Sequence, residues 1–490
     1  WNFFMNKLKL IFISLLCVGS IIAGIYLSTI IMLLFEKQSL SHLSLSVYWQ
    51  YLHTDLVVID LAQHTKHAKH FKMSNLLGFG IPLAAFGFIA YKIATLNKDN
   101  SLYGKARFAN NADLAKAGLF KNTDTSLVIG KKDGKFLYFS GQQFAILAAP
   151  TRSGKGVGIV IPNLLSYQGS MVVLDIKQEN FDLTSGFRHQ YGQEIYLFNP
   201  FAEDKRTHRW NPLTYVSTDP NFRVSDLMSI ANMLYPLRAE DQNKFFVSQA
   251  QNVFMALTLY AFELYEENKK DNFPAQHNPA PTIGGIYRLS SGGGSDLKPY
   301  VHDLSKKSFL SESAQTAFAG LLSQEEKVFA SIMGSFKEPL LPWLNPVVDA
   351  ATSGDDFLFT DVRKRKMTIY IGIQPNKLAE SRLIINLFFS QLINQNTKEL
   401  PQNNPELKHQ CVLLMDEFTS IGKIDIIAHS APYMAGYNIR LLPIIQSMAQ
   451  LDATYGKEQA RTLITNHALQ ILYAPREQQD ANDYSEMLGY

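Results

Sequence analysis

The pattern of hydrophobic and polar positions sets the first part of the chain apart from the rest. Leu10–Phe35 carries no charged residue, and as an α-helix it would extend roughly 39 Å, enough to cross a hydrocarbon core of about 30 Å. A cleaved signal peptide is the alternative, but its apolar region is only about 7–15 residues long. Leu76–Ala90 is a shorter apolar run between Lys72 and Lys92, and a buried or interfacial helix is its alternative. We therefore predict a membrane anchor over residues 1–96, with spans at about 10–35 and 74–94 and an outward loop at 36–73.

Lysines and histidines around these runs bear on orientation and on metal binding. Basic residues precede the first run and follow the second, which predicts that both ends face the cytoplasm. Further lysines in the loop weaken this charge asymmetry. His64, His67 and His70 recur every three residues, which would place them on one helix face. That face is interpreted as a polar juxtamembrane surface, with a metal site as the alternative.

The remainder of the chain alternates short apolar runs with helical patterns. The runs are continuous rather than alternating in polarity, which is typical of parallel strands covered on both faces. Strands separated by helices indicate an α/β fold. The predicted strands are Phe144–Ala148, Met171–Leu174, Glu194–Phe198, Thr368–Ile373, Cys411–Met415, Leu441–Ile445 and Leu469–Tyr473.

One long stretch, from about Asp219 to Phe336, breaks this alternation. It shows helical periodicity and no convincing strand, so we predict an all-α insertion domain over residues 219–336. The α/β domain would then comprise residues 97–218 and 337–490, and its ending directly after a helical pattern suggests that it is truncated at the C-terminus.

Composition narrows the class of protein further. The 490 residues are 46% hydrophobic and 18% charged, with a net charge of +3. These values exclude a disordered chain and argue against a strongly basic nucleic-acid binder. A local basic channel stays compatible with them. Cys17 and Cys411 both lie in apolar runs and are interpreted as small buried hydrophobic residues rather than as a disulfide framework or a zinc site.

A phosphate-binding loop is predicted directly after the first strand of the α/β part. The segment Ala-Pro-Thr-Arg-Ser-Gly-Lys-Gly follows an apolar strand and precedes a helical pattern, the context in which a P-loop wraps its backbone amides around phosphate oxygens. Gly154 permits the close approach and Lys155 supplies an ammonium for the β- and γ-phosphates. Ala149 replaces the usual first glycine, and Gly156 replaces the hydroxyl residue that normally ligates Mg²⁺. The predicted nucleotide-binding residues are Ala149, Pro150, Thr151, Arg152, Ser153, Gly154, Lys155, Gly156 and Val157.

Two later strands end in residues that suit the same chemistry. Cys411–Met415 is followed by Asp416 and Glu417; in P-loop enzymes the first acid holds Mg²⁺ and the second polarises the attacking water. Gln446 closes another predicted strand. Because the carboxyl ends of parallel strands line one crevice, Lys155, Glu417 and Gln446 can converge there as catalytic residues, with Asp416 as the metal ligand.

With these motifs in place, the chain resembles the type IV secretion coupling proteins, the TraG-type membrane ATPases of conjugation and effector secretion. The order of elements matches over nearly the whole chain, and specific strings are similar as well. The matching strings are Tyr103–Ala109, Ala149–Gly158 (including glycine after the lysine), Val172–Asn180, Leu413–Phe418 and Ile444–Leu451.

The resemblance implies a RecA/FtsK-like P-loop domain with an inserted all-α domain and two N-terminal transmembrane helices. It implies a homo-oligomer, a hexameric ring, at the bacterial inner membrane, and it implies the use of ATP and Mg²⁺. Its implied partners are secretion channel components and a relaxase–DNA complex, effector proteins or both, with single-stranded DNA among the candidate ligands. Such a ring needs an arginine from the neighbouring subunit, and Arg440 and Arg461 are the candidates.

The sequence leaves two other functions and one basic cluster open to alternative interpretations. The replaced residues Ala149 and Gly156 are compatible with a docking receptor whose ATPase is weak or lost, and an FtsK-like DNA translocase is a third candidate. The basic cluster Arg363–Lys366 is interpreted as a solvated turn, with a nucleic-acid path as its alternative.

Overall fold

The computed structural model describes residues 2–57, 61–95, 107–237 and 243–489. The chain divides into two compact units, one within residues 1–105 and the other within residues 106–489. The predicted boundary between residues 96 and 97 and most of the string 103–109 lie outside the described residues.

The first unit is helical. It contains α1 (Asn2–Phe35), α2 (Leu45–Val57) and α3 (Leu61–Thr95). Within the described residues, Ile11–Phe35 and Thr65–Ile93 are long and apolar enough to cross a membrane. The second apolar helix begins earlier than the predicted span at 74–94, because α3 continues through the polar stretch before it.

Small and polar residues join α1 to α3. Ser28 Oγ donates to Asn75 Oδ1 at 2.6 Å. A Cβ atom at Gly78 would lie 2.5 Å from the Cα atom of Ser28, so the two backbones approach too closely for any larger residue. The two helices therefore pack as a tight hairpin.

Two of the three histidines, His67 and His70, lie beside an acid. Glu36 Oε1 is 2.9 Å from His70 Nδ1 and 3.8 Å from His67 Nδ1. The side chain of His64 lies outside the described residues. Among the side chains that are described, no group of three or more His, Cys, Asp or Glu residues is arranged to hold a metal ion.

The second unit is built on a parallel sheet. In the described part of the chain, seven strands lie in the order β5-β6-β4-β7-β8-β3-β9, and every neighbouring pair is parallel. All the predicted strands are present, with shifts of one or two residues at some ends. The strands of this sheet and of a separate hairpin are β1 (Leu127–Lys132), β2 (Lys135–Phe139), β3 (Ala145–Ala148), β4 (Ser170–Ile176), β5 (Glu194–Phe198), β6 (Met367–Ile373), β7 (Cys411–Met415), β8 (Ile439–Ile445) and β9 (Leu469–Leu472).

Burial follows strand position. Every residue of β6, β7 and β8 is buried, whereas the edge strands β5 and β9 are partly exposed. This pattern explains the continuous apolar runs, since helices cover both faces of the central strands. The helices of the second unit are α4 (Asn111–Lys116), α5 (Ile161–Ser166), α6 (Glu179–Gln190), α7 (Pro220–Leu234), α8 (Lys244–Lys270), α9 (Ile283–Leu289), α10 (Leu297–Ser305), α11 (Glu312–Leu322), α12 (Glu326–Lys337), α13 (Pro346–Ala351), α14 (Leu378–Asn396), α15 (Asp425–Met434), α16 (Met448–Tyr455), α17 (Lys457–Thr465) and α18 (Gln478–Leu488).

A long helical excursion separates the neighbouring strands β5 and β6. Its described residues contain the helices α7 to α13 and no strand. The bounds of a separate insertion domain at 219–336 stay a prediction.

The antiparallel hairpin β1–β2 was not among the predicted elements. Asp133 and Gly134 form its turn, with φ of 49° and 81°. An Asp-Gly pair between two runs with β-propensity is a strong hairpin signal, so the sequence did carry the information. Asn163 fixes the hairpin to the sheet domain, because its side chain both accepts from Val128 N and donates to Val128 O at 2.8 Å.

Candidate nucleotide-binding site

The predicted P-loop lies at the carboxyl end of β3, between β8 and β9. Ala149 N donates to Ile445 O at 2.9 Å, so the ladder with β8 continues one residue beyond the strand. The chain then turns, with Arg152 and Gly154 at φ of 61° and 85°. A π-helical turn, Gly156–Val160, leads into α5. The nine residues 149–157 therefore form the strand-to-helix turn that the sequence predicts.

One polar atom in this turn suits a phosphate ligand. Ser153 Oγ is buried and has no hydrogen-bond partner among the described residues. A buried hydroxyl without a partner is costly in a folded protein. A phosphate oxygen is one group that would satisfy it.

The P-loop lysine contacts the two acids that follow β7. Lys155 Nζ lies 2.6 Å from Glu417 Oε1 and 3.7 Å from Asp416 Oδ1. The Lys155 side chain is only 13% exposed, so this ion pair is less screened than one at the surface. Glu417 has a φ of 53°, and a non-glycine residue in this region is a feature that recurs at functional sites.

Gln446 completes the cluster from the end of β8. Its Nε2 donates to Glu417 Oε2 at 2.7 Å, and its Oε1 accepts from Thr151 Oγ1 at 3.0 Å. The structure thus brings together Lys155, Glu417 and Gln446, as their positions at strand ends suggested. The catalytic roles of these residues stay predictions.

The two acids differ in their electrostatic environment. Burial raises the pKa of Asp416 above its ordinary value, although the nearby Lys155 ammonium opposes this. Burial also acts to raise the pKa of Glu417, but hydrogen bonds from Lys155 and Gln446 outweigh it, and the net pKa is lowered. Glu417 is therefore an ionised acceptor at neutral pH, suited to orient a water molecule.

The acids after β7 are better suited to ligate Mg²⁺ than the residues of the P-loop are. Carboxylate oxygens are preferred Mg²⁺ ligands, and Mg²⁺ usually keeps several waters. Glu417 N donates to Asp416 Oδ1 at 3.0 Å and so fixes the orientation of that carboxylate. Gly156 has no hydroxyl to contribute, which leaves Asp416 as the protein ligand that the donor set supports.

Asp175, at the end of β4, is a site residue to which the sequence analysis gave no role. It is fully buried and accepts from Asn180 N and Phe181 N at 3.2 and 2.7 Å, which caps the N-terminus of α6. Burial raises the pKa of Asp175 to about 7. An acid directly after an apolar run, as in Val172–Asn180, is the signal that could have identified it.

The structure argues against a role between subunits for Arg440, one of the two arginine candidates. Its side chain is fully buried, and its guanidinium donates to Gln143 O, Thr125 O and Phe139 O at 2.7–3.0 Å. A guanidinium held this way ties the hairpin to β8 and cannot reach another chain, so we correct that expectation. Arg461 lies exposed on α17.

The basic cluster at 363–366 is largely neutralised. Arg363 is buried and bonded to Asn396 Oδ1, Glu399 O and Tyr437 O. Lys364 pairs with Glu406 at 3.1 Å, and Arg365 pairs with Glu194 at 2.7 Å. These contacts favour the interpretation as a structural turn over a nucleic-acid path.

Comparison with known proteins agrees with this geometry. A sequence model for a family described as "Type IV secretory system Conjugative DNA transfer" matches residues 97–490. Protein VirD4 of Rhizobium radiobacter is 30% identical over 398 residues, which cover 79% of this chain and 55% of that protein. Conjugal transfer protein TraG of Escherichia coli is 26% identical over 449 residues, 84% of this chain and 69% of that one. The chain thus spans little more than half the length of its VirD4 relative.

Solved structures share the fold. Plasmid coupling protein TrwB in complex with the non-hydrolysable ATP analogue ADPNP superposes with a TM-score of 0.55 at 16% identity, covering 79% of this chain and 84% of that one. At this identity the likeness speaks for the fold. Together with the family match over most of the sequence, it leads to one assignment: the chain belongs to the type IV secretory system conjugative DNA transfer family.

Proposed function

We propose that the protein is a coupling ATPase of a type IV secretion system, which recruits DNA–protein or effector substrates and uses ATP to deliver them to the translocation channel. The observation that carries this proposal is the convergence of Lys155, Glu417 and Gln446 at one edge of the sheet. A docking receptor without ATPase activity would not require these three side chains to meet.

ATP is the proposed substrate and Mg²⁺ the proposed cofactor. Solved structures of TrwB contain ADPNP in one case and ADP with Mg²⁺ in another. In this chain the buried Ser153 hydroxyl and the Lys155 ammonium suit phosphate oxygens, and Asp416 suits the metal. When bound, Mg²⁺ would supply positive charge to the β- and γ-phosphates.

The residues of the cluster divide the chemistry among them. Lys155 exchanges its bond with Glu417 for the terminal phosphates. Glu417, ionised and held by Gln446, orients the attacking water and accepts its proton. Gln446 also bonds to Thr151 of the P-loop, so a shift of the loop on phosphate binding is transmitted directly to the water-orienting pair.

We further propose the organisation that this activity requires. Residues 97–218 and 337–490 form the ATPase domain and residues 219–336 a substrate-recognition insertion. The ATPase assembles as a hexameric ring, in which Arg461 is the remaining arginine candidate for the neighbouring site. The two apolar helices anchor the ring in the bacterial inner membrane, both ends in the cytoplasm, beside the channel components.

The test is phosphate release by the full chain in detergent micelles, measured with and without single-stranded DNA. Lys155→Ala provides the blank. Lys131→Ala, which alters an exposed lysine on the β1–β2 hairpin, is the matched control and should retain turnover.

Each outcome separates the candidate functions. Turnover that rises with protein concentration and with DNA would support a ring motor with DNA cargo. Turnover that is indifferent to DNA would favour effector export by the same motor. Wild-type turnover no higher than that of Lys155→Ala would overturn the motor and leave the docking receptor.

A further inference from the structure

The P-loop has a strand end on each of its two sides. β3 pairs with β8 on one side and with β9 on the other, and the last residues of the three strands are paired. Gln446 and Tyr473, the first residues after β8 and β9, are therefore level with Ala149 at the start of the loop. Gln446 bonds to Glu417 and to Thr151. The side of the loop opposite this polar cluster carries the aromatic side chain of Tyr473.

Tyr473 is held against the helical turn that follows the P-loop. Its backbone N donates to Ala148 O at 2.9 Å, so the ladder between β9 and β3 continues one residue beyond the strands. A Cβ atom at Gly158 would lie only 2.6 Å from the Tyr473 hydroxyl oxygen. The side chain also packs on the apolar cluster around β3, and it stays partly exposed. Tyr473 thus lies beside the turn that contains Gly158, with part of its surface open to a ligand.

The glycine at position 158 is explained by this contact. Gly158 lies inside the π-helical turn Gly156–Val160 and not in the left-handed region, so its backbone does not require a glycine. Glycine also lowers the stability of a helix compared with alanine. A side chain at this position would displace Tyr473, which indicates that the place of the tyrosine matters.

The polar cluster fixes the direction in which a nucleotide would extend along the loop. The strands lie in the order β7-β8-β3-β9, and the ammonium of Lys155 is 2.6 Å from Glu417 Oε1, after β7. A terminal phosphate bound by Lys155 would therefore lie on the β8 side of the P-loop. The nucleoside, at the other end of the polyphosphate, would then lie on the β9 side, where Tyr473 is.

The surface beside Tyr473 suits a nucleoside. Val157, directly before Gly158, is 75% exposed and adds apolar surface to the same turn. Small-molecule sites are lined mainly by apolar and aromatic side chains. An aromatic ring offers a face on which a base can stack.

We infer that Tyr473 is the nucleoside-contacting residue of the site, and that its ring packs against the base of the bound nucleotide. The inference rests on the proposed ATPase function and concerns the end of the substrate that the polar cluster does not reach. Because every base has an aromatic face, this contact holds the base without selecting among bases.

The experiment compares binding of a whole nucleotide with binding of its phosphates alone. Affinities for ADPNP, ADP and inorganic tripolyphosphate, each with Mg²⁺, are measured by titration calorimetry on the full chain in detergent micelles. The variants are Tyr473→Ala, Tyr473→Leu and Tyr473→Phe, and thermal unfolding and ATP turnover are measured for each. The matched control is Tyr191→Ala. Tyr191 is exposed between the end of α6 and the start of β5, so it lies at the opposite edge of the sheet.

We expect Tyr473→Ala and Tyr473→Leu to bind ADPNP and ADP roughly 5- to 150-fold more weakly, the range for loss of one base–aromatic stack. The factor should be the same for both nucleotides, because both carry the nucleoside, and binding of tripolyphosphate should not change. Turnover at saturating ATP should stay within about threefold of wild type, as expected when uniform binding is removed. Tyr473→Phe, which keeps the ring, and Tyr191→Ala should match wild type.

A second pair of variants moves the ring without removing it. Gly158→Ala places its Cβ against the Tyr473 hydroxyl and should weaken binding of ADPNP and ADP, but not of tripolyphosphate. Adding Tyr473→Phe removes this hydroxyl, and the next atom of the tyrosine, Cζ, is 3.9 Å from the Cβ, an ordinary contact. The double variant should therefore recover the affinity for ADPNP. A purely local effect of alanine on the P-loop helix would not be reversed in this way.

Other results would overturn the inference. Wild-type affinity for ADPNP in Tyr473→Ala and Tyr473→Leu would show that the ring does not contact the nucleoside. Equal losses for ADPNP and tripolyphosphate would place the effect in the phosphate-binding loop, and equal losses in Tyr473→Phe and Tyr473→Ala would exclude packing of the ring. A wild type that binds ADPNP but does not hydrolyse ATP would contradict the proposed function, while the affinities would still decide on Tyr473. A wild type that binds none of the three ligands would contradict both.

Discussion

Lys155 Nζ and Glu417 Oε1, 262 residues apart in the sequence, lie 2.6 Å apart in the structure. This ion pair joins the P-loop to the acid that follows β7. A bound phosphate would compete with Glu417 for the Lys155 ammonium. We therefore expect each residue to affect both the stability of the fold and the chemistry of the site.

The coupling can be measured with a double-mutant cycle. Lys155→Met and Glu417→Gln should each lower the free energy of unfolding by about 1–3 kcal/mol, because each leaves a partly buried charge without its partner. The double variant should lose less than the sum of the two. Glu417→Gln should also slow ATP turnover by about 10²- to 10⁴-fold while ATP still binds.

The control for this cycle is the Lys377–Glu380 pair, 3.0 Å apart and more exposed. Its cycle should give a coupling energy below about 0.5 kcal/mol. Equal coupling energies for the two pairs in denaturant unfolding would contradict a special relationship between Lys155 and Glu417.

Asp175 should make stability depend on pH. Its pKa is raised to about 7 in the folded protein, against about 4 in the unfolded chain. The folded state therefore holds a proton that the unfolded state releases, so this residue's contribution to stability falls as pH rises from about 4 to 7. Asp175→Asn cannot ionise, and its stability relative to wild type should improve over that range and then level off.

The measurement is chemical unfolding of both proteins at a series of pH values, with Asp182→Asn as the control. Asp182 lies on the exposed side of the same helix, α6. The informative quantity is how the difference in free energy of unfolding between Asp175→Asn and wild type changes with pH. Its absolute size is less informative, because an amide at position 175 also changes the capping bonds. A difference independent of pH for Asp175→Asn would show that the carboxylate is ionised throughout.

Substitution of Arg440 should mainly lower stability, whereas substitution of Arg461 should mainly affect turnover. Arg440→Met removes the donor to three carbonyl groups and should lower the free energy of unfolding by roughly 3–5 kcal/mol. Arg461→Ala should change stability by less than about 0.5 kcal/mol. If Arg461 acts on the neighbouring site, its loss should reduce turnover by about 10³- to 10⁵-fold.

Mixing variants tests the action between subunits. A Lys155→Ala subunit offers an intact Arg461, and an Arg461→Ala subunit offers an intact P-loop. Combined in one ring, they should recover activity that neither has separately. Absence of recovery, with mixed oligomers demonstrated, would remove Arg461 as the candidate.

The α1–α3 hairpin should depend on Gly78 and not on Gly80. A Cβ at Gly78 meets the Ser28 backbone, whereas nothing lies within 4 Å of a Cβ at Gly80. Gly78→Ala should therefore lower stability in detergent by about 1–3 kcal/mol through overpacking. Gly80→Ala should have little effect, and thermal unfolding with equal shifts for both variants would contradict this helix pairing.

The strands were predictable because the sheet is parallel and buried. The central run Cys411–Met415 has the observed bounds, because strands covered on both faces are mostly apolar along their length. The meeting of Lys155, Glu417 and Gln446 was predictable from another property of parallel sheets. Each of these residues follows the carboxyl end of a strand, and these ends lie at one edge of the sheet.

What local patterns could not provide were the tertiary contacts of charged residues. Arg440 interrupts an apolar strand and was interpreted as a functional cation, but its partners, such as Phe139 O, lie 301 residues away in the sequence. The left-handed backbone of Lys177 is likewise held by contacts with β6 and β4. Neither feature has a signature in neighbouring residues, whereas the Asp133-Gly134 turn did have one.

The position of β3 between β8 and β9 has a consequence during protein synthesis. Thr151, just after β3, is separated from Gln446 by 295 residues. At about 5–20 residues per second, a ribosome needs roughly 15–60 s to cover that distance. Throughout this interval the apolar strand β3 lacks both its partners, and the P-loop lacks the acids and the glutamine that complete the site. A nascent chain therefore has an aggregation-prone strand for a chaperone to shield, and it cannot complete the candidate nucleotide-binding site before the last strands of the sheet have left the ribosome.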